Sequence, residues 1–216
     1  MENEKVKPKK KVIYITLLII IMLIISFFVI KNNYKNIKLG NNIIVQNPDS
    51  IVDNILNIKS YEANVTVKVI SNKNENTYEL EQKNIKEKEY LQIVRKPPEI
   101  EGMEIIFRNN KLEIKNSKLN LTKIYEKYQY VTENELDLMS FVNECNNLEN
   151  EKKIINEETQ IIIDLKIKNE SNKYIKYKKV YIDKKTGKIL KMEIKDITQN
   201  IRVYILYNEI KINALQ

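Results

Sequence analysis

The sequence contains no histidine and no tryptophan, one cysteine (Cys145) and three glycines. Each shortage removes a class of chemistry. Without histidine there is no histidine-based triad, and the commonest general base is missing. A lone cysteine permits neither a disulfide within the chain nor a Cys/His zinc site. Three glycines in 216 residues leave no glycine-rich phosphate loop. The chain is therefore not expected to be an enzyme, and no catalytic, cofactor-binding or metal-binding residue is assigned.

Charge is abundant and unevenly placed. The formal net charge is +8, from 37 Lys and Arg against 29 Asp and Glu. Residues 1–45 hold eight lysines (5, 7, 9, 10, 11, 31, 35 and 38) against Glu2 and Glu4. Residues 46–216 hold 29 basic and 27 acidic side chains, a net of only +2. A nucleic-acid partner needs a basic face on the folded part. None is expected here.

Between the lysines runs an uncharged stretch from Val12 to Ile30, without Gly or Pro. At about 1.5 Å per residue it spans roughly 28 Å, close to the roughly 30 Å of bilayer hydrocarbon. A core helix would keep a polar face, and this stretch has none. A cleaved signal peptide has a shorter apolar run ending at a small-residue site. The first alanine in this chain is Ala63. The expected organisation is a cytoplasmic basic tail (1–11), an uncleaved transmembrane anchor (12–30), a stalk (31–47) and an extracytoplasmic β-domain (48–216). The denser lysine cluster precedes the anchor and sets that orientation.

Pro48-Asp49-Ser50 opens a helix. Ile51, Val52, Ile55 and Leu56 follow at helical spacing, and Ser50 with Asp53 resembles a capping box. From Tyr61 the period changes to two. Tyr61, Ala63, Val65, Val67 and Val69 alternate with polar residues, as in a half-buried strand. Further strands are expected at 77–82, 89–94, 103–108, 112–115, 160–168, 175–182, 189–196 and 201–212. Pro97-Pro98 marks a loop. Asn109-Asn110-Lys111 and residues 183–187 mark hairpin turns. A second helix is expected after a capping box at Thr132-Glu133-Asn134-Glu135. Its apolar stripe is Leu138, Phe141, Val142, Cys145 and Leu148, which makes Cys145 a buried structural thiol. Nine strands and two helices give an α+β, mainly β fold.

Few residues invite a chemical reading. Glu99, Glu101 and Glu104 cluster near the prolines. A glycosidase needs two carboxylates facing each other across a cleft, and solvated loop acids are the simpler reading. Asn64-Val-Thr66, Asn120-Leu-Thr122 and Asn169-Glu-Ser171 match the glycosylation pattern by chance in so Asn-rich a chain. Two stretches interleave Lys with Tyr, one carrying Tyr125, Tyr128 and Tyr130, the other Tyr174, Tyr177 and Tyr181. These six are the candidate partner-binding residues, because Tyr is enriched at interfaces and Lys adds charge. An anionic envelope polymer is a second candidate partner, and ordinary strand faces are the plainer reading. A homodimer is left open.

Together these segments resemble a known family. Ser60-Tyr61, Asn64-Val65 and Val67, the PPEIEGMEIIF segment (97–107), VYIDKKTGKILKMEIKD (180–196) and VYILYNEIKI (203–212) are similar to the spore-germination lipoproteins of the GerS type from clostridia. More remotely they resemble the LolA-like lipoprotein-carrier fold. The resemblance implies an incomplete barrel, a curved antiparallel sheet with two helices on its concave face. It implies an adaptor that binds a cortex-modifying N-acetylmuramoyl-L-alanine amidase and enables it to work, in a spore envelope. The LolA side of the resemblance implies instead a carrier or sensor for lipid or lipoprotein chains. The lipobox cysteine of the GerS-type proteins is missing, and the apolar stretch stands in its place.

Overall fold

A computed structural model describes residues 47–126, 135–168 and 173–215. The expected anchor and stalk lie outside these residues. Among the described residues no helix is long and apolar enough to cross a membrane.

The strands are β1 (Ser60–Ile70), β2 (Glu75–Ile85), β3 (Glu89–Lys96), β4 (Met103–Arg108), β5 (Lys111–Asn116), β6 (Leu121–Tyr125), β7 (Glu151–Asn156), β8 (Gln160–Lys166), β9 (Tyr177–Asp183), β10 (Ile189–Lys195) and β11 (Ile201–Ile212). Among the described residues two α-helices accompany them, α1 (Pro48–Leu56) and α2 (Leu138–Asn146). All eleven strands join one antiparallel sheet in the order β6-β5-β4-β3-β2-β1-β11-β10-β9-β8-β7. The chain walks outward from the centre to one edge. It then passes through α2 to the opposite edge and walks back, so that β11 closes on β1.

Both helices share one hydrophobic core with one face of the sheet. Ile51, Val52, Ile55 and Leu56 of α1 and Leu138, Phe141, Val142 and Cys145 of α2 meet Tyr61, Ala63, Val65 and Val67 of β1. Ile161, Ile163, Leu165 and Ile167 join from β8 and just beyond it, as their period of two predicts. Met192 and Ile205 add β10 and β11.

Both helices start elsewhere than their expected capping boxes. Asn47 caps α1, taking the Asp49 amide on its side chain, and Pro48 fills the first turn, where its missing N–H costs nothing. Ser50 hydrogen-bonds back to the Asn47 carbonyl instead of capping. Asp137 caps α2, so this helix begins after the expected box; Thr132, Glu133 and Asn134 lie outside the described residues. Helix α2 ends at Asn146. Leu148 therefore leaves the apolar stripe and is fully exposed.

A bulge interrupts β10. Ile189 pairs with Ile182 and Lys191 with Tyr181, leaving Leu190 as the extra residue between them. Ile189 and Met192 are buried, and Leu190 faces outward. The turn before it matches expectation. Gly187 has φ +68, and its amide reaches the Asp183 carbonyl at 2.8 Å.

Phe141 is fully buried in the core and Leu148 is not. Phe141→Ala should cost about 3–5 kcal/mol. Leu148→Ala should stay within about 0.5 kcal/mol of the parent. Urea denaturation followed by circular dichroism measures both.

Candidate functional site

Strand period alone sends three polar side chains inward. On β2, Gln82 and Asn84 follow Leu80 at steps of two; on β3, Gln92 lies between Tyr90 and Val94. All six of these residues are buried. Ladder register sets Gln82 opposite Gln92 and Asn84 opposite Tyr90. Tyr61 of β1 stands opposite Asn84 on the other side. Buried polar groups need partners, and α2 supplies one.

Asp137 is that partner. Its Oδ1 accepts hydrogen bonds from the Tyr61 hydroxyl at 2.7 Å and from the Met139 amide at 3.1 Å. Its Oδ2 accepts one from Asn84 Nδ2 at 2.9 Å. Gln82 Nε2 donates to the Leu136 carbonyl at 3.2 Å and to Gln92 Oε1 at 3.3 Å. The Tyr90 hydroxyl donates to the same Gln92 oxygen at 2.6 Å. One carboxylate thus caps α2 and ties it to β1 and β2. Burial pushes the Asp137 carboxyl up to about 6, against the hydrogen bonds from Tyr61, Met139 and Asn84 that favour its charge. Burial and the Asp137 charge both raise the Tyr61 and Tyr207 hydroxyls. The buried Tyr207 hydroxyl has no hydrogen-bond partner among the described residues.

A second buried cluster holds α2 from the other side. Lys178 points inward from β9 and is fully buried. Its ammonium contacts Glu135, just before α2, and lies 2.6 Å from Glu144 within the helix. Burial raises the Glu144 carboxyl, with Lys178 opposing. Cys145, next along, is buried, and burial pushes its thiol up to about 12. It stays protonated and is no nucleophile at neutral pH.

The opposite face of β8–β11 carries charge and tyrosine. Glu193 lies at its centre, accepting from Lys191 at 2.7 Å and from the Tyr181 hydroxyl at 3.0 Å. Lys195 pairs with it at 3.1 Å. Burial works to raise the Glu193 carboxyl, but its two lysines and Tyr181 bring it below the usual carboxylate range. Lys191 Nζ also sits 4.0 Å from the centre of the Tyr181 ring. Lys179 pairs with Asp164 at 2.7 Å on the neighbouring strand.

Of the six candidate tyrosines, Tyr177 and Tyr181 share this face, two register steps apart on β9. Tyr174 precedes the strand, is exposed, and has Lys173 Nζ 5.3 Å from its ring centre. Tyr125 lies on β6, at the far edge of the sheet, with Lys123 Nζ 5.2 Å from its ring centre. Tyr128 and Tyr130 lie outside the described residues. Glu99 is exposed, Glu101 forms a surface pair with Lys118 at 2.6 Å, and Glu104 stands opposite Lys115 on β5. Sequence reading missed Asp137, Lys178, Gln82, Asn84 and Gln92. Their signal was phase: each lies an even number of residues from a buried apolar neighbour on its strand, or caps the helix.

No protein-family model matches this sequence, and no curated protein matches it. Solved structures are similar in fold. An uncharacterized conserved protein from Thermus thermophilus aligns with TM-score 0.49 and 11% identity, over 79% of this chain and 90% of that one. A chain of the complex between the CwlD amidase and the GerS lipoprotein of Clostridioides difficile aligns with TM-score 0.47 and 23% identity, over 74% and 91%. A LolA superfamily protein from Nitrosomonas europaea aligns with TM-score 0.39 and 11% identity, over 79% and 96%. The GerS-like and LolA-like resemblance stated from the sequence is met again among them.

In the folded chain Asp137 titrates near 6, and in an unfolded chain near about 3.9. Its ionised form therefore costs stability, and the cost grows as pH rises through that interval. Asp137→Asn removes the dependence. Relative to the parent, the variant should gain about 2 kcal/mol between about pH 4 and pH 7. Urea denaturation at both pH values measures it; a difference that ignores pH would remove Asp137 as a buried titrating group.

Proposed function

We propose that this chain is a non-enzymatic adaptor of the bacterial spore envelope. In this reading residues 12–30 hold it in the membrane, with its β-domain on the extracytoplasmic side. It binds a cortex-modifying N-acetylmuramoyl-L-alanine amidase, in the manner implied by its sequence resemblance to the GerS type. In this reading the eleven-stranded open sheet curls around its two helices, one of the ways large twisted sheets accommodate their twist.

The filled interior is the observation that carries this reading over the lipid-carrier alternative. The space between helices and sheet holds core side chains and a hydrogen-bonded set of Tyr61, Gln82, Asn84, Gln92 and Asp137. An acyl chain entering there would strip partners from buried polar groups, at a cost of about 1–3 kcal/mol each. The outer face of β8–β11 is the better place for a partner. Its tyrosines and lysines are already held by Glu193 and Asp164, so little side-chain freedom is lost on docking.

Extraction of the full chain from sporulating cells in detergent should recover the amidase. Lys179→Glu with Tyr181→Ala should lower that recovery by about tenfold or more. Recovery of no cell-wall hydrolase would sink the proposal. Bound acyl ligand in native mass spectrometry would favour the carrier instead.

A further inference from the structure

A cleft of about 570 Å³ opens at the end of the sheet where the β2–β3 and β4–β5 turns meet α2. That volume is within the roughly 300–1,000 Å³ of small-ligand sites. Four carboxamides line it, from Asn84, Asn109, Asn110 and Asn143. Asn109, Asn110 and Asn143 are exposed and each offers both donors and acceptors, while Asn84 is buried with its Nδ2 given to Asp137. Phe107, partly exposed, supplies apolar surface between them; Tyr90 and Met139 also line the cleft but are almost fully buried. The rim is balanced in charge, with Lys86 and Lys88 against Glu87 and Glu89.

The walls are preorganised. Asn109 and Asn110 both have positive φ, +53 and +56, the geometry of a tight hairpin turn. Glu87 on the other turn has φ +62, an uncommon value for a residue that is neither Gly nor Asn. Asn84 at the floor is fixed by its bond to Asp137, and Tyr90 by its bond to Gln92.

This chemistry selects its ligand. A balanced rim favours neither an anion nor a cation. An acyl chain would leave three exposed carboxamides facing hydrocarbon. A peptide strand would need a free ladder edge, yet β2, β3 and β4 are each paired on both sides. What fits is a neutral ligand rich in donors and acceptors, with apolar faces. Acetamido groups pair with carboxamides donor to acceptor, while their methyl groups and sugar C–H faces would meet Phe107.

We propose that the cleft between the β2–β3 turn, the β4–β5 turn and α2 binds a glycan bearing acetamido groups. The site does not rest on the amidase reading, and the absence of an amidase partner would leave it intact. The test uses the full chain in a detergent without sugar headgroups, titrated calorimetrically with tetra-N-acetylchitotetraose (chitotetraose) and with cellotetraose. Chitotetraose should bind saturably and about tenfold tighter than cellotetraose, which has hydroxyls but no acetamido groups. Asn110→Gly with Asn143→Ala should weaken chitotetraose about tenfold and leave the thermal midpoint unchanged, because Gly suits the turn and Asn143 is exposed. Asn143→Ala alone serves if the double variant unfolds. No chitotetraose binding, equal binding of both sugars, or full affinity in the folded variant would each overturn the proposal.

Discussion

One carboxylate holds this fold in register. Asp137 caps α2 and at the same time accepts from Tyr61 on β1 and Asn84 on β2. An eleven-stranded sheet with one apolar face needs cover, and only two nine-residue helices are described to give it. Helices that short are not stable alone and depend on tertiary contacts. Apolar packing would keep α2 on the sheet, but it is tolerant of sliding. Hydrogen bonds from two strands to one buried carboxylate are not. Lys178 adds a second fixed point, from β9, through Glu135 and Glu144.

Such devices are poor sources of net stability. Taking Asp137 out of water costs enough to move its carboxyl up to about 6. Lys178 faces two carboxylates with one ammonium, and replacing such a buried set with apolar residues of similar volume is often neutral or stabilising. Their effect is on specificity. They penalise every helix position but one, because a displaced α2 leaves buried charge and amide groups without partners. Surface pairs such as Lys68 with Glu75 contribute little by comparison, being half exposed.

Most of the central sheet was legible in the sequence, and its edges were not. Alternation at Tyr61–Val69 and Ile161–Ile167 is the imprint of one buried face. The two strands that sequence reading missed, β6 and β7, are the two edges of the sheet. Every residue of β6 is exposed, and β7 has only Ile155 partly covered. With no buried face there is no reason for alternation, so no period marks them. The buried polar residues were hidden for the opposite reason. Gln82, Asn84 and Lys178 occupy inward phases, but polarity is read as solvent-facing. Only the partner in space makes their burial tolerable, the Leu136 carbonyl for Gln82, Asp137 for Asn84 and Glu144 for Lys178, and those partners lie about fifty or thirty residues away in sequence.

The same bonds reach the cleft. Asn84 and Tyr90 belong both to its floor and to the buried network, and Met139, whose amide bonds to Asp137, lines its wall. A ligand touching that floor would bear on the group that fixes α2. For the proposed ligand, helix position and affinity would be linked, and the linkage would be reciprocal. Whatever tightens Asp137 against Asn84 orders the cleft. Whatever fills the cleft favours the docked helix. The outer face of β8–β11 lies beyond this coupling: its lysines and tyrosines close on Glu193 and Asp164 rather than on α2. The two proposed contacts, a protein on the outer face and a small ligand at one end, would thus fall on different parts of the sheet.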